Sequence, residues 1–223
     1  MPLNKSVGNM YDWVTHMWAP VRGKCKHECT YCYMNKFPLG PMHLDEKDLN
    51  TKLGEDKIIF VCHTSDLFAD DVPSEWIEQI LWKCREAPLN KYLFQSKNPG
   101  RFMEFIDKMP PSVIFGTTIE TNRTIYVESK APTYIDRAEA IGELSDEGFE
   151  TIVTIEPIYD FDLEPFVDII ISAKPTWINI GADSKGNKIP EPSKEKIIAL
   201  INNLTSKIDI KLKDNLKRLL KTI

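Results

Sequence analysis

Three of the five cysteines, Cys25, Cys29 and Cys32, fall within eight residues in a C-x3-C-x2-C spacing. The other two, Cys62 and Cys84, stand apart, and an odd count so unevenly placed makes a poor disulfide framework. Close clustering points to metal ligation instead. Iron–sulfur clusters are held by cysteine thiolates. Three close thiolates can hold three irons of a [4Fe–4S] cubane and leave the fourth open to a substrate or cofactor, which a fully ligated electron-transfer cluster cannot offer. Structural zinc is the rival reading: it needs four closed tetrahedral ligands, and His27 or His43 could supply the fourth. No second knuckle accompanies the triplet, which favours iron and sulfur.

A second group of residues gains its meaning from period. Gln95 and Lys97, Thr118 and Glu120, Thr154 and Glu156, and Asn179 and Asp183 turn polar at the ends of otherwise apolar runs. Buried parallel strands read as continuous apolar stretches, and residues two apart share a face. Polar pairs at strand ends therefore read as the wall of a cavity, against the plainer reading that strands fray into polar loops. Cys62, in the run Phe60–His63, is either a small apolar core residue or a thiol facing that cavity. Cys84 shares an apolar helix stripe and reads as core.

These residues need a scaffold, and the chain alternates β-rich runs with amphipathic helices. Strands are expected near Trp13–Ala19, Lys57–His63, Lys91–Ser96, Ser112–Ile119, Thr151–Ile155 and Thr176–Gly181, with a possible seventh at Ile208–Leu212. Helical stripes run through Ile77, Ile80, Leu81 and Cys84; through Phe102, Phe105, Ile106 and Met109; through Leu163, Phe166, Val167 and Ile170; and through Ile197, Leu200, Ile201 and Leu204. A weaker helix covers Tyr134–Glu147, stopped by Gly148. Repeated βα units imply a parallel sheet with right-handed crossovers. A complete eight-unit barrel takes about 250 residues. The 223 residues therefore suit one α/β domain spanning 1–223, an incomplete (β/α)6 TIM-like barrel with an N-terminal cluster-binding loop. An open doubly wound sheet is the alternative. Both place a site at the carboxyl ends of the strands.

The 28 basic residues against 33 acidic ones, a net of −5, argue against a protein that coats nucleic acid, which rests on phosphate neutralisation. A local basic mouth from Arg22, Lys24, Lys26 and Lys36 would still suit an anionic substrate such as a nucleotide. The basic stretch from Thr205 to Ile223 reads as a solvated helix face. No apolar run is long enough to span a bilayer, and the first residues carry no apolar signal core, so a cytoplasmic protein without membrane contact is expected.

The cysteine spacing, with the aromatic Tyr31 immediately before Cys32 and a strand just upstream, resembles the radical S-adenosylmethionine (SAM) superfamily signature. Further segments, in order, resemble a phage-associated radical SAM-like family of unknown function and, more distantly, spore photoproduct lyase: Ser65–Phe68, Gln95–Pro99, Thr118–Glu120, Ile155–Pro157 and Ile180–Asp183. This resemblance implies a [4Fe–4S] cluster on the three cysteines, with SAM chelated by the open iron. It implies reductive cleavage of SAM to a 5′-deoxyadenosyl radical and hydrogen abstraction from a small-molecule, nucleotide or nucleic-acid substrate. A one-electron donor of flavodoxin or ferredoxin type would serve it. By the same resemblance Tyr31 packs near the adenine, and Ser65 and Asp66 stand where such enzymes carry a Gly-Gly-Glu motif, from which this chain departs. Lys97, Thr118, Glu120 and Glu156 fall where cofactor contacts occur, and Cys62 is a candidate hydrogen donor. A glycyl-radical activase acting on a protein partner and a non-catalytic zinc-stabilised binding module are the alternatives.

Overall fold

The computed structural model describes residues 3–126 and 129–221. Its main sheet has eight strands in the linear order β1 (Asn4–Lys5), β2 (His16–Trp18), β5 (Ile58–Val61), β6 (Lys91–Gln95), β7 (Val113–Thr118), β8 (Glu150–Ile155), β9 (Trp177–Ile180) and β10 (Asp209–Leu212). Every neighbouring pair from β2 onward is parallel, and only β1 runs antiparallel at the edge. The Ile208–Leu212 run is thus a true seventh parallel strand. Strand order follows chain order without reversal. Right-handed crossovers in one direction lay all helices on one face and curl the sheet, which gives an incomplete barrel and not a doubly wound sheet.

The helices are α2 (Ser74–Arg85), α3 (Tyr134–Asp146), α4 (Leu163–Ser172) and α5 (Lys194–Thr205), after the short α1 (Glu46–Leu49). Thr133 and Asp136 form a capping box on α3, and Gly148 adopts φ +87 just beyond its end. One expected α-helix is instead a 3-10 helix, Pro99–Lys108. Its buried residues Pro99, Phe102 and Phe105 recur every three positions, the period of the tighter helix. Asn98 does not cap it; its side-chain amide donates to Phe68 and Asp70.

Strand alternation divides the core in two. Outward residues such as Phe94, Phe115, Val153 and Ile178 pack under the helices. Inward residues Leu93, Ile114, Ile152 and Trp177 form a smaller core closed by Tyr11 and Val14 from the N-terminal segment. Above this inner core the same face becomes polar. Thr118 pairs in register with Thr154, Thr154 with Asn179, and Asn179 with Lys211.

The C-terminal basic stretch is not one helix face. It comprises β10, a 3-10 turn and the short α6 (Lys217–Leu220), with its last two positions outside the described residues. Lys213 and Arg218 point to acids, Glu156 and Glu191.

Candidate active site

The three-cysteine loop leaves the sheet through a small antiparallel hairpin, β3 (Val21–Arg22) with β4 (His43–Leu44). Everything between them is an excursion clamped at its base. Gly23 makes the exit possible: it adopts φ +107, and a Cβ there would lie 2.4 Å from the Pro41 carbonyl oxygen. Ser65 Oγ donates to the Gly23 carbonyl at 3.1 Å and pins this corner to the end of β5. Asp66 ties the next turn. Its Oδ2 lies 2.8 Å from His27 Nε2 and accepts the Lys97 amide at 2.7 Å, while Oδ1 accepts the Phe68 amide. Burial works against the Asp66 carboxylate, but the His27 contact and the donated amide hold it below the ordinary carboxylate range.

Cys25, Cys29 and Cys32 all border one cavity of about 500 Å³, and all three are free thiols. The cavity opens at the carboxyl ends of the strands, where Ser65, Asp66, Gln95, Lys97, Thr118, Glu156 and Asp183 also line it. The reading of the strand ends as a wall holds for Gln95, Lys97, Thr118, Glu156 and Asp183, whereas Glu120, Thr154 and Asn179 do not line this cavity. Burial pushes the Cys25 thiol up to about 12, with the Asp66 charge adding to it, and burial likewise raises Cys32. The Cys29 charge adds to the shift at both.

Among the described residues no three His, Cys, Asp or Glu side chains close on a single ion. In a cubane each cysteine binds a different iron, so its ligands surround the group and do not meet at a point. The donor set fits such a cluster: three soft sulfur ligands on one loop, facing a cavity with room beyond them. Both histidines considered as a fourth zinc ligand have a ring nitrogen directed elsewhere. His27 Nε2 is turned to Asp66, and His43 is exposed on the hairpin with Nδ1 near the Pro41 carbonyl.

Behind the cavity wall lies a buried charge cluster. Glu120, 1% exposed, accepts from Tyr31 Oη and Lys97 Nζ on Oε1 and from Arg137 Nη2 on Oε2 at 3.1 Å. Burial would raise its pKa, but Arg137 and then Lys97 hold it at about 2. Lys97 also lies over the Tyr31 ring, 4.9 Å from its centre, and Tyr31 meets Tyr159 edge-on. The lysine ammonium is committed to Glu120, and Glu120 stands behind the wall, where together they brace Tyr31 next to Cys32.

Glu156 does reach the cavity. Its Oε1 accepts from Asn9 and Asn215 at 2.8 and 2.7 Å, and its Oε2 from Lys213 at 2.7 Å. A Cβ on Gly181 would lie 2.7 Å from this carboxylate, so the glycine makes room for it. Thr118 Oγ1 accepts from the Gln95 amide, whose oxygen accepts from the Tyr11 hydroxyl at 2.8 Å. Cys62 borders the cavity but is only 3% exposed; its thiol neighbours Cys84 in the helix-side core and is hydrogen-bonded by the Val21 backbone. Packing accounts for it. Three of the four basic residues at the mouth face acids, Arg22 with Asp45 and Asp48, Lys24 with Glu28 and Lys26 with Asp71, while Lys36 donates to the Lys185 carbonyl.

Sequence reasoning missed Tyr11, Arg137, Asn215 and Ser129 and left Lys213 in a solvated helix. Lys211 and Lys213 continue the period-2 polar pattern of the earlier strands, a signal that could have placed Lys213. Nothing local marks Arg137 or Ser129.

The chain is thus an incomplete barrel of parallel strands in chain order, with a C-x3-C-x2-C loop over its carboxyl rim. The chain belongs to the DUF5131 family, described as proteins of unknown function, whose pattern matches residues 9–188. No curated protein matches it. Among solved structures it is similar to a cysteine-to-serine mutant of spore photoproduct lyase, with TM-score 0.67 at 12% identity over 94% of this chain and 80% of that one. A mutant of the same lyase with dinucleoside spore photoproduct gives TM-score 0.61 at 13% identity, over 92% and 65%. Streptococcus suis SuiB bound to S-adenosylmethionine gives TM-score 0.60 at 10% identity, over 88% of this chain and 49% of that one, so this chain spans about half its length. At these identities the likeness is one of fold. Among the described residues no helix is long and apolar enough to cross a membrane.

Proposed function

We propose that the chain is a radical SAM enzyme in which Cys25, Cys29 and Cys32 hold a [4Fe–4S] cluster. The observation that carries this reading is the convergence of three free thiols from one clamped loop on a single cavity at the strand ends. The similarity in fold to a SAM-bound protein supports it. When bound, cluster and SAM together supply a one-electron cleavage of SAM that yields a 5′-deoxyadenosyl radical able to abstract hydrogen.

The chain's own residues bind, orient and shield. The hairpin, Gly23 and Ser65 fix the loop's exit, and Asp66 with His27 fixes its first turn. The Glu120 cluster holds Tyr31 against the wall. Gln95, Thr118 and Glu156 offer hydrogen-bonding groups along the cavity, whose volume suits a small cofactor and part of a substrate. The substrate in this reading is a small molecule, a nucleotide or a nucleic-acid base, with a flavodoxin- or ferredoxin-type donor supplying electrons in the cytoplasm.

Anaerobic reconstitution tests the reading. It expects a brown protein with about four irons per chain and 5′-deoxyadenosine formed from SAM under dithionite. A colourless protein holding stoichiometric zinc overturns it.

A further inference from the structure

The loop following β7 returns to the cysteine loop and meets it at Cys29, the most enclosed of the three cysteines at 6% exposure. Ser129 Oγ lies 3.2 Å from Cys29 Sγ and 3.1 Å from the His27 carbonyl oxygen, and it accepts the Ala131 amide at 3.1 Å. The Lys130 amide donates to the same His27 carbonyl at 2.7 Å, and Lys130 Nζ pairs with Glu28. Two loops a hundred residues apart are thus joined around one sulfur.

A hydroxyl has one proton to give. While Cys29 is a thiol, its S–H can point to Ser129 Oγ and the hydroxyl proton to His27 oxygen, leaving every group partnered. An iron-bound thiolate has no proton and is the better acceptor, because hydrogen bonds to charged acceptors are the stronger ones. Turning the hydroxyl to sulfur then costs little, since the His27 carbonyl keeps the Lys130 amide.

We propose that Ser129 is a positioning residue that acts through Cys29: its hydroxyl donates to the ligating sulfur and raises the potential at which the cluster accepts its electron. This rests on the cluster reading above. Reduction adds one electron to the cluster and breaks no bond; the hydroxyl proton stays on oxygen and lowers the energy of the more negative state. Hydrogen bonds to the sulfurs are among the determinants of cluster potential.

The test is a dithionite redox titration of reconstituted full-length protein, followed by electron paramagnetic resonance of the reduced cluster, with iron and sulfide measured in each sample. Ser129→Ala should keep its iron and shift the midpoint negative, with roughly three- to tenfold less reduced cluster at a fixed potential, tenfold being about 59 mV for one electron. Ser129→Thr, which keeps the hydroxyl, should stay close to the unaltered protein. If the alanine variant loads poorly, Ser129→Thr and Ser129→Val, which match in shape, decide the matter: the valine form should lie lower. Equal midpoints in fully loaded samples with and without the hydroxyl overturn the role of Ser129 and leave the cluster standing. Failure of the unaltered chain to take up iron and sulfide overturns both readings.

Discussion

Arg137 Nη2 lies 3.1 Å from Glu120 Oε2, and the two side chains are only 7% and 1% exposed. Arg137 reaches across from α3, while Glu120 follows β7, so this pair joins the helical layer to the back of the cavity wall. Arg137 also donates to the Thr118 carbonyl. Arg137→Met leaves Glu120 its pairing with Lys97 but removes a buried hydrogen bond to the carboxylate. It should therefore destabilise the fold by about 1.5–3 kcal/mol in urea unfolding. A loss below ~1 kcal/mol, the range of exposed pairs, would contradict the enclosed geometry.

The same carboxylate sets a pH dependence. Glu120 is held at about 2 when folded, against an ordinary value of 4.5, because Arg137 and Lys97 outweigh the burial that would raise it. A depressed folded pKa contributes stability that is complete above the unfolded value and is lost as pH falls toward the folded one. Asp66 shifts in the same direction. Unfolding of the unaltered protein and of Glu120→Gln, compared from pH 7 to pH 3, should show a gap that narrows below pH ~4.5. A gap independent of pH would argue against an ionised Glu120.

At the loop's exit, Gly23→Ala should be far more damaging than Ser65→Ala. The first places a Cβ 2.4 Å from the Pro41 oxygen at φ +107, whereas the second removes one hydrogen bond. Strain of that kind costs on the order of 1–3 kcal/mol, against about 1 kcal/mol for the bond. Iron uptake should fall in the glycine variant and largely survive in the serine one, as measured by metal analysis after reconstitution.

Lys213 holds the N-terminal segment to the strand ends by donating to both the Asn9 carbonyl and Glu156. Lys213→Met removes a hydrogen bond to a charged group, a loss of about 1.5–3 kcal/mol. Amide exchange should quicken around Asn9–Tyr11, where the segment covers the inner core. Unchanged protection there would show that Tyr11 and Val14 hold the segment without the lysine.

How much of this was legible beforehand follows from the range of each interaction. The cysteine spacing, the strands and the polarity of their ends are short-range properties. Side chains alternate along any strand, so Gln95, Lys97, Thr118 and Glu156 announce a cavity wall without knowledge of their neighbours. The 3-10 helix at Pro99–Lys108 was missed because one stripe of aromatic residues fits a period of three nearly as well as one of 3.6.

What a polar head group does when it reaches the wall was decided by tertiary structure. Lys97 is spent on Glu120, Asp66 on His27, and Glu156 on Lys213, and each partner arrives from a different βα unit or loop. Arg137 lies 17 residues from Glu120, Lys213 lies 57 from Glu156, and Ser129 lies 100 from Cys29. Local pattern carries no information about such pairings, because they exist only once the sheet has curled and brought its carboxyl ends around a common space. The sequence by itself determined which residues could do chemistry, through spacing that any extended or looped chain obeys. Only the folded barrel decided which of them keep a hand free for it, since burial forces every charge to find a partner.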